Sequence, residues 1–373
     1  MIYLDSAATS LYKPDTVQYA MTEALNSMAS PGRGTHSAAM RAADCCFACR
    51  EALASLFHVP EPEQVVFTMN ATHALNIAIR TLVRPGTRVL ISGYEHNSVT
   101  RPLHASGARL RVIRGELFRP ETLLSGFREA LPWAEVVVCT HVSNAFGYIL
   151  PLEEIAVMCA EAEKPLIVDA SQSAGILSID FAGLGAAFAA MPGHKGLLGP
   201  QGTGVLLCKN DALPLLYGGS GSESVLQTMP EFLPDRLEAG THNVPGIAGL
   251  LAGVRYLNGC SVREIRKKER MLLELLAELL RHVDGLEIFY TEDEALQCSV
   301  LSVRPKTMSC EVFAEKLDQY GVAVRSGLHC APTAHETVGT LHTGTVRFSF
   351  SPFNTVQQME QTAEICKIIM KNS

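Results

Sequence analysis

The 373-residue sequence lacks a long apolar segment, an excess of basic charge and a nucleotide-binding glycine fingerprint. No stretch approaches the roughly 18 uninterrupted apolar residues of a membrane span. Charged residues make up only 18% of the chain, and the net charge of −7 disfavours nucleic acids and anionic membranes as partners. No G-x-G-x-x-G follows the early predicted strands, which argues against a nicotinamide-dependent Rossmann enzyme. The first residues carry no basic segment followed by an apolar one, so we expect a cytoplasmic protein.

The chain also lacks a cysteine pattern that would indicate disulfides or a metal site, although it contains eleven cysteines. An odd number of scattered cysteines is typical of reduced thiols in a cytosolic protein. Cys46 and Cys49 form a C-x-x-C beside Cys45, but no second pair follows at zinc-like spacing. The three residues lie in a predicted helix over 37–57. We therefore expect structural, partly buried thiols and no metal ligands.

Apolar residues account for 47% of the sequence, which favours a compact fold with a large core. Strands alternate with helices through the first half of the chain, as expected for a mainly parallel sheet that is covered on both faces. The predicted strands are 65–68, 88–92, 110–113, 135–140 and 166–169, and the helices between them begin near 71, 95, 121 and 152. The predicted fold class is therefore α/β.

A different order of elements follows in the last third of the chain. A long helix is predicted from Ser261 to about residue 282, with Ser261 and Glu264 in capping-box register. Short strands and two helices come after it, and Asn354 is the predicted N-cap of the last helix. We predict a large α/β domain over 14–257 and a smaller α+β domain formed by 1–13 and 258–373.

A lysine near the middle of the chain gives the strongest chemical signal. The apolar run 186–190 ends in the Pro192-Gly193 turn, which places Lys195 at the tip of a strand. A lysine held among apolar walls loses hydration, which lowers its pKa and frees its amine for a Schiff base. Asp169 ends the preceding strand, and the carboxyl ends of parallel strands share one edge of a sheet. Such a pair suits a pyridoxal phosphate (PLP) enzyme. The alternative is an exposed loop lysine beside a hairpin.

Other polar residues that follow predicted strands are Glu95, His96, Asn144 and Gln172. Their recurrence at strand ends predicts a shared rim. A helix that begins after Asn70 offers free N–H groups and a positive dipole end to a phosphate, and Thr72 adds a hydroxyl. An ordinary N-cap explains the same residues. The loop 30–36 permits close backbone approach to a ligand and carries Arg33 and His36, although a plain connector explains it nearly as well.

In their order along the chain, these motifs resemble the class V, PLP-dependent cysteine desulfurase family, on the side of its Suf-type and selenocysteine lyase branch. The resemblance runs from residues 3–9 to residues 347–355 and covers almost the whole chain. It implies a fold-type I PLP transferase, with PLP as cofactor and a homodimer whose site lies near the subunit boundary. It also implies L-cysteine or a related amino acid as substrate, and a sulfur-acceptor protein in iron–sulfur cluster assembly as partner.

The resemblance implies a role for each matching residue. Around the cofactor, Lys195 forms the Schiff base, Asp169 pairs with the pyridine nitrogen, Gln172 donates to the ring hydroxyl and His96 stacks on the ring. Ala71, Thr72, His194 and Asn144 complete the cofactor site, and Thr241 reaches the phosphate of a second subunit. The substrate is held by Asn144, Arg325, His36 and Arg347, the last on its carboxylate. Pro192 stands where Suf-type members often have a serine, which removes one phosphate hydroxyl.

The segment 325–332 resembles the family's catalytic-cysteine loop, which makes Cys330 the thiolate that takes sulfur. A thiolate near Arg325 and His329 would form more easily, and be more nucleophilic at neutral pH, than a buried thiol. With Cys330, the predicted catalytic residues are Lys195 and His96. The implied reaction leaves L-alanine and a persulfide on Cys330. Alternatives on the same fold are a selenocysteine lyase, an aminotransferase, an epimerase or another β-lyase, and a non-catalytic member of an assembly complex is a further one.

Overall fold

In the computed structural model, which describes residues 1–32, 34–209 and 212–372, thirteen strands form three sheets. The strands are β1 (Ile2–Tyr3), β2 (Val65–Thr68), β3 (Arg88–Ser92), β4 (Arg109–Ile113), β5 (Val136–Thr140), β6 (Leu166–Asp169), β7 (Phe188–Pro192), β8 (Gly204–Cys208), β9 (Leu286–Phe289), β10 (Val300–Pro305), β11 (Val322–Ala323), β12 (Arg325–Gly327) and β13 (Thr345–Ser349). The helices are α1 (Asp15–Ser27), α2 (Ser37–Phe57), α3 (Ala71–Leu82), α4 (Asn97–Ala105), α5 (Pro120–Ala130), α6 (Leu152–Glu161), α7 (Phe181–Leu184), α8 (Val244–Cys260), α9 (Val262–Arg281), α10 (Cys310–Gln319), α11 (Pro332–Val338) and α12 (Val356–Lys371).

The largest sheet has seven strands in the order β2-β8-β7-β6-β5-β3-β4. β8 pairs antiparallel with β2 and β7, and the other neighbouring pairs are parallel. Every residue of β5 is buried, as is typical of a parallel strand whose sheet is covered on both faces. The predicted α/β fold with a large, mainly parallel sheet is confirmed.

Side chains of this sheet alternate between two hydrophobic cores. Val137 and Cys139 of β5 belong to the core that includes buried residues of α2, α6 and α8. Val136 and Val138 belong to the core formed with α3 and α4. This alternation follows from the period of two along a strand, and each buried side chain of this size contributes about 1.5–3 kcal/mol. The two layers hold the carboxyl ends of the parallel strands in fixed positions.

A four-stranded antiparallel sheet, in the order β12-β13-β10-β9, packs with α9, α10 and α12 around a third core. Leu4 joins this core from the N-terminal segment, and β1 pairs with β11. The predicted domain boundary at residues 257–258 falls inside α8, and the division into two domains stays a prediction. Within the described part of the chain, no helix combines the length and apolar character that crossing a bilayer requires.

Candidate active site

A cavity of about 210 Å³ lies at the carboxyl ends of β5, β6 and β7. Their last residues, Thr140, Asp169 and Pro192, all line it. Ligands of open α/β sheets bind at this edge, since loops from several strands converge there. The sequence-predicted residues that line this cavity are Ala71, Thr72, His96, Asn144, Asp169, Gln172, His194, Lys195, Arg325 and Arg347.

Asp169 and Gln172 lie on one side of the cavity, just after β6. Asp169 is 2% exposed, and its Oδ1 accepts a hydrogen bond from the backbone N–H of Ser171 at 2.9 Å. A buried carboxylate with a single such bond is suited to a positively charged partner in the cavity. Gln172 Nε2 donates to the carbonyl oxygen of Ala7 at 3.0 Å. The N-terminal segment therefore forms one wall of the cavity.

Lys195 lines the same cavity and is half-buried. Loss of hydration lowers its pKa to about 8, and the positive charges of Arg347 and Arg325 add to that effect while Asp169 opposes it. The tight turn before Lys195 depends on Gly193, because a Cβ there would collide with the side chain of Thr203. A substantial fraction of the lysine is therefore a neutral, nucleophilic amine near pH 8.

His96 is the N-cap of α4, so the helix begins two residues later than the sequence predicts. Its Nδ1 accepts from the backbone N–H of Ser98 at 3.0 Å and lies 2.9 Å from the Ser98 hydroxyl. Burial lowers the pKa of His96 to about 4, with the negative charge of Asp169 opposing that shift and the positive charge of Lys195 contributing to it. The ring is therefore neutral near pH 7, with its proton on Nε2. An uncharged ring of this kind can pack against another aromatic ring.

The beginning of α3 supplies the polar groups on another side of the cavity. Asn70 caps the helix, and its Oδ1 accepts from the backbone N–H of His73 at 2.9 Å. Ala71 and Thr72 occupy the first turn, where backbone N–H groups point out of a helix and favour an anion. The Thr72 hydroxyl lies 2.8 Å from that of Ser98. Ser98 thus offers a second hydroxyl to an anionic ligand on this side of the cavity, where Pro192 cannot supply one.

His194 lies on the wall formed by the N-terminal segment. Its Nδ1 lies 3.1 Å from the Thr9 hydroxyl, and its backbone oxygen accepts from the N–H of Ser10 at 2.9 Å. Burial lowers the pKa of His194 to about 4, with Lys195 and Lys13 adding to the shift. His194 is therefore neutral near pH 7 and contributes a hydrogen bond rather than a charge.

Arg347 and Asn144 form the part of the cavity nearest to the smaller antiparallel sheet. Arg347 is 1% exposed, and its Nη2 donates to Asp5 Oδ1 at 2.8 Å. Its Nη1 donates to the backbone oxygen of Asn144 at 3.0 Å. Among the described residues, Arg347 Nε and Asn144 Oδ1 are buried without a hydrogen-bond partner. Unpaired buried polar atoms that border a cavity are suited to a polar ligand.

Cys330 lies at the rim, outside the set of residues that line the cavity. Its side chain is exposed, and Arg325 Nη2 donates to its Sγ at 3.7 Å. Both His329 and Cys330 have left-handed backbone conformations, with φ of 50° and 58°. The turn is fixed by two hydrogen bonds: Asn97 N–H donates to the Cys330 carbonyl at 2.7 Å, and Asn144 Nδ2 donates to the His329 carbonyl at 2.6 Å. The sulfur is therefore presented at the surface beside a guanidinium group.

Two predicted residues lie elsewhere. His36 is the exposed N-cap of α2, and its Nδ1 accepts from the backbone N–H of Ala39 at 3.4 Å. Thr241 is exposed and lines a second cavity, of about 200 Å³, together with His73 and His242. Arg33 falls outside the described residues. Within one chain, neither His36 nor Thr241 joins the cavity that contains Lys195, and their ligand contacts stay predictions.

Sequence reasoning gave no role to Asp5 or Ser98, both of which contact predicted site residues. Asp5 falls within the N-terminal motif, but no pattern relates it to an arginine 342 residues later. Ser98 comes a few residues after a predicted strand. Because the helix was expected to begin near residue 95, the sequence did not indicate that Ser98 lies in the first turn beside the N-cap. Assignment of His96 as the N-cap would have indicated that Ser98 contacts its side chain.

The donors around the cavity fit PLP. An anionic phosphate is matched by the first turn of α3, a pyridine nitrogen by the buried carboxylate of Asp169, and an aldehyde by the amine of Lys195. The unpaired Asn144 Oδ1 and Arg347 Nε leave polar capacity for further ligand groups. The part of the chain that the structure describes contains no group of three or more His, Cys, Asp or Glu residues able to hold a metal ion. All eleven cysteines are free thiols.

Comparison with known proteins agrees with this arrangement. Residues 2–362 match the family model of class-V aminotransferases, and the chain belongs to that family. A probable cysteine desulfurase of Methanothermobacter thermautotrophicus is 34% identical over 379 residues, which span 97% of this chain and 93% of the relative. A probable cysteine desulfurase of Pyrococcus abyssi is 32% identical over 388 residues, which span 100% of this chain and 95% of the relative.

Solved structures lead to the same group. The apo structure of a cysteine desulfurase from Thermococcus onnurineus superposes with a TM-score of 0.91 at 30% identity, covering 100% of this chain and 95% of that one. The cysteine desulfurase CsdA of Escherichia coli, in an S-sulfonic acid form, gives a TM-score of 0.86 at 27% identity, covering 99% of this chain and 94% of that one. The resemblance found in the sequence is therefore confirmed at the level of the family.

Proposed function

We propose that this chain is a PLP-dependent cysteine desulfurase that converts L-cysteine to L-alanine and takes the sulfur onto Cys330. The observation that carries this proposal is the position of Cys330: an exposed thiol on a left-handed turn, 3.7 Å from a guanidinium nitrogen, at the rim of a cavity that contains Lys195. An aminotransferase needs a lysine and an acid in such a cavity, but its chemistry does not require an adjacent thiol.

The residues of the chain divide the work of this reaction. PLP, when bound, supplies a ring that accepts electrons and so makes the C–H bond at the substrate α-carbon acidic. Lys195 is suited to move the α-proton, since burial lowers its pKa to about 8 and leaves much of the amine neutral near that pH. Arg347, whose Nε is unpaired among the described residues, is suited to hold the substrate carboxylate, and Asn144 can add only the second N–H of its Nδ2, because the first donates to the His329 carbonyl. His96, which is neutral near pH 7, offers an Nε2–H donor without adding charge.

The sulfur step involves Cys330 alone among the chain's thiols. The Cys330 thiolate attacks the substrate sulfur, a sulfur–sulfur bond forms, and the substrate's carbon–sulfur bond breaks with its electron pair left on carbon. Protonation at that carbon gives L-alanine, so L-cysteine and the thiol become L-alanine and the persulfide with atoms and electrons balanced. The positive charge of Arg325 stabilises the attacking thiolate.

The test is release of alanine and sulfide from L-cysteine by PLP-loaded protein with a thiol reductant present. We expect equal amounts of both products from the wild type and loss of sulfide release in Cys330→Ala, which should retain its PLP. Cys260→Ala is the matched control, because Cys260 is the other exposed thiol. Undiminished turnover by Cys330→Ala would refute the role of Cys330. A keto acid without sulfide would indicate an aminotransferase, and activity limited to selenocysteine would indicate a lyase for that amino acid.

We further propose a homodimer in the cytoplasm. Support comes from the segment that precedes Thr241, which exposes Tyr217, Val225, Leu226 and Phe232 and so leaves an apolar surface for a second copy to cover. Eleven free thiols agree with a reducing compartment. Light scattering after size exclusion should give about twice the mass of 40.3 kDa. If Thr241 reaches a second subunit's phosphate, Thr241→Val should weaken PLP retention without changing that mass.

We also propose that the persulfide sulfur passes to an acceptor protein, with iron–sulfur cluster assembly as its destination. The exposure of Cys330 supports this step, because another protein's thiolate can approach the sulfur directly. A small thiol such as dithiothreitol should release the sulfur, whereas protein-bound persulfide should persist without one. Mass spectrometry of the peptide that contains Cys330 would detect the added sulfur.

A further inference from the structure

The ion pair between Asp5 and Arg347 joins the two ends of the chain inside the candidate active site. Arg347 Nη2 donates to Asp5 Oδ1 at 2.8 Å, and the side chains are 2% and 20% exposed, respectively. Arg347 lines the cavity that contains Lys195. The residue assigned to the substrate carboxylate is thus already bonded to a carboxylate of its own chain.

Asp5 is held rigidly beside the strand that carries Arg347. It forms an isolated parallel bridge with Ser349, two residues after Arg347 on β13. Ser349 N–H donates to the Leu4 carbonyl at 2.8 Å, and Ala7 N–H donates to the Ser349 hydroxyl at 2.9 Å. Backbone bonds on both sides of Asp5 therefore fix its carboxylate relative to the guanidinium.

The guanidinium is held at two of its nitrogens. Asp5 accepts from Nη2 and the Asn144 carbonyl accepts from Nη1, while Nε has no partner among the described residues. Burial lowers the pKa of Arg347, and the negative charge of Asp5 opposes that shift. A guanidinium has five N–H donors in one plane, so two fixed bonds determine where the remaining donors point.

We propose that Asp5 is a positioning residue that fixes the Arg347 guanidinium to receive the α-carboxylate of an amino-acid substrate. This inference rests on the proposed function and deepens it, because it makes a free α-carboxylate a requirement for the substrate. The arrangement also extends towards Cys330. Asn144, whose carbonyl holds Arg347, donates from its Nδ2 to the carbonyl of His329, the residue before Cys330.

The first test compares ligands that differ only at the carboxylate. Dissociation constants of L-alanine and L-alaninamide are measured by calorimetry with PLP-loaded protein, which does not require turnover. For Asp5→Ala we expect L-alanine to bind about tenfold more weakly and L-alaninamide to bind within about twofold of the wild type. Asp5→Asn keeps an acceptor oxygen without the charge, and we expect a loss of about threefold for L-alanine alone. If Asp5→Ala does not fold, Asp5→Asn carries the test.

Glu135→Ala is the control. Glu135 forms an ion pair at 3.3 Å with Arg88, the first residue of β3, and neither residue lines the cavity. It should leave both constants unchanged. Unchanged or tighter binding of L-alanine by the Asp5 variants would overturn the proposal, and tighter binding would show that Asp5 competes with the substrate instead. An equal loss for L-alaninamide would also overturn it, since the effect would not concern the carboxylate.

The second test separates binding from chemistry in the desulfurase assay. We expect Asp5→Ala to raise KM for L-cysteine about tenfold and to change kcat by less than about threefold, with PLP content unchanged. A fall in kcat with constant KM would overturn the positioning role. Failure of the wild type to release alanine from L-cysteine would refute the proposed function while leaving the L-alanine comparison valid, so the two failures are distinguishable.

Discussion

Lys195 carries an amine in surroundings that disfavour its charge. Burial lowers its pKa to about 8, with Arg347 and Arg325 acting in the same direction. For the apoenzyme we expect the rate of PLP capture to rise with pH about tenfold per unit up to pH 8 and to level off above it, because the neutral amine is the nucleophile. Stopped-flow absorbance between pH 6.5 and pH 9.5 would measure this rate.

The matched control is Lys195→Ala, which should bind PLP reversibly at most and show no covalent capture at any pH. A wild-type rate that still rises about tenfold per unit from pH 8 to pH 9.5 would show that the lysine has the ordinary pKa near 10.4. Such a result would contradict the burial argument and leave Asp169 as the dominant influence on the amine.

Arg325 provides the second prediction at the residue scale. Its Nη2 lies 3.7 Å from Cys330 Sγ, and a positive charge at this distance stabilises a thiolate. We expect Arg325→Gln to slow alkylation of Cys330 by iodoacetamide at pH 7 by about three- to tenfold. Mass spectrometry of the peptide with Cys330 would follow the reaction separately from the exposed Cys260. Arg114→Gln, which removes a different exposed arginine, should leave the rate unchanged.

Single residues show both the reach and the limit of sequence reasoning about the site. Asp169 and Lys195 could be placed together because both follow predicted parallel strands, and the cavity does contain both. The contact of Gln172 with Ala7 could not be predicted, nor could the pairing of Asp5 with Arg347. Both depend on how the N-terminal segment crosses the finished fold, and no local pattern encodes that path.

Elements whose signals are local were predicted well. Helix α2 has the predicted bounds, and strands β2, β3 and β6 agree residue by residue, because each has a continuous apolar pattern with clear ends. The short strands predicted after the long helix could not be assigned to a sheet from their local pattern. The chain changes sheets at Val324, with β11 pairing with β1 and β12 pairing with β13. Which sheet a short strand joins depends on distant partners.

The start of the last helix gives a prediction at the scale of an element. Asn354, the predicted N-cap, instead bonds to Ser351 N–H through Oδ1, and Thr355 caps α12 in a complete capping box with Gln358. We expect Thr355→Ala to lower the free energy of unfolding by about 1 kcal/mol, because the first turn loses an acceptor. Urea unfolding followed by circular dichroism would measure it. Val356→Ala, at an exposed position, should change stability by less than about 0.5 kcal/mol.

The whole molecule should be most stable near pH 6.5. Burial lowers the pKa of four histidines, each to about 4: His96, His141, His194 and His335. As the pH decreases, these histidines bind protons in the unfolded chain before they do so in the folded protein. The free energy of unfolding therefore falls as the pH decreases from 6.5 to 4. Burial raises the pKa of Glu95 and Glu269 to about 8. The contribution of these two glutamates to the free energy of unfolding is complete below pH 4.5, decreases above that pH and is lost as the pH rises through 8.

Urea unfolding of the apoprotein between pH 4 and pH 9 would test this profile. Glu269→Gln keeps the shape of a buried neutral carboxyl, so we expect it to flatten the decline above pH 6.5 and to stabilise the protein by about 2 kcal/mol at pH 8. Glu264→Gln, on the exposed first turn of the same helix, is the control and should not alter the slope. A wild-type stability that rises steadily from pH 6.5 to pH 8 would contradict the assignment of neutral buried carboxyls.

The ion pair between the two ends of the chain also has a consequence for biosynthesis. At about 5–20 residues per second, a ribosome needs about 17–70 seconds to travel the 342 residues from Asp5 to Arg347. Throughout that interval the first ten residues have none of their partners on β13, and for about half of it they also lack Gln172 and His194. The large sheet can form while translation continues, whereas the active site closes only when the last strand leaves the ribosome. Chains truncated before β13 should therefore lack the guanidinium that is suited to an amino-acid carboxylate.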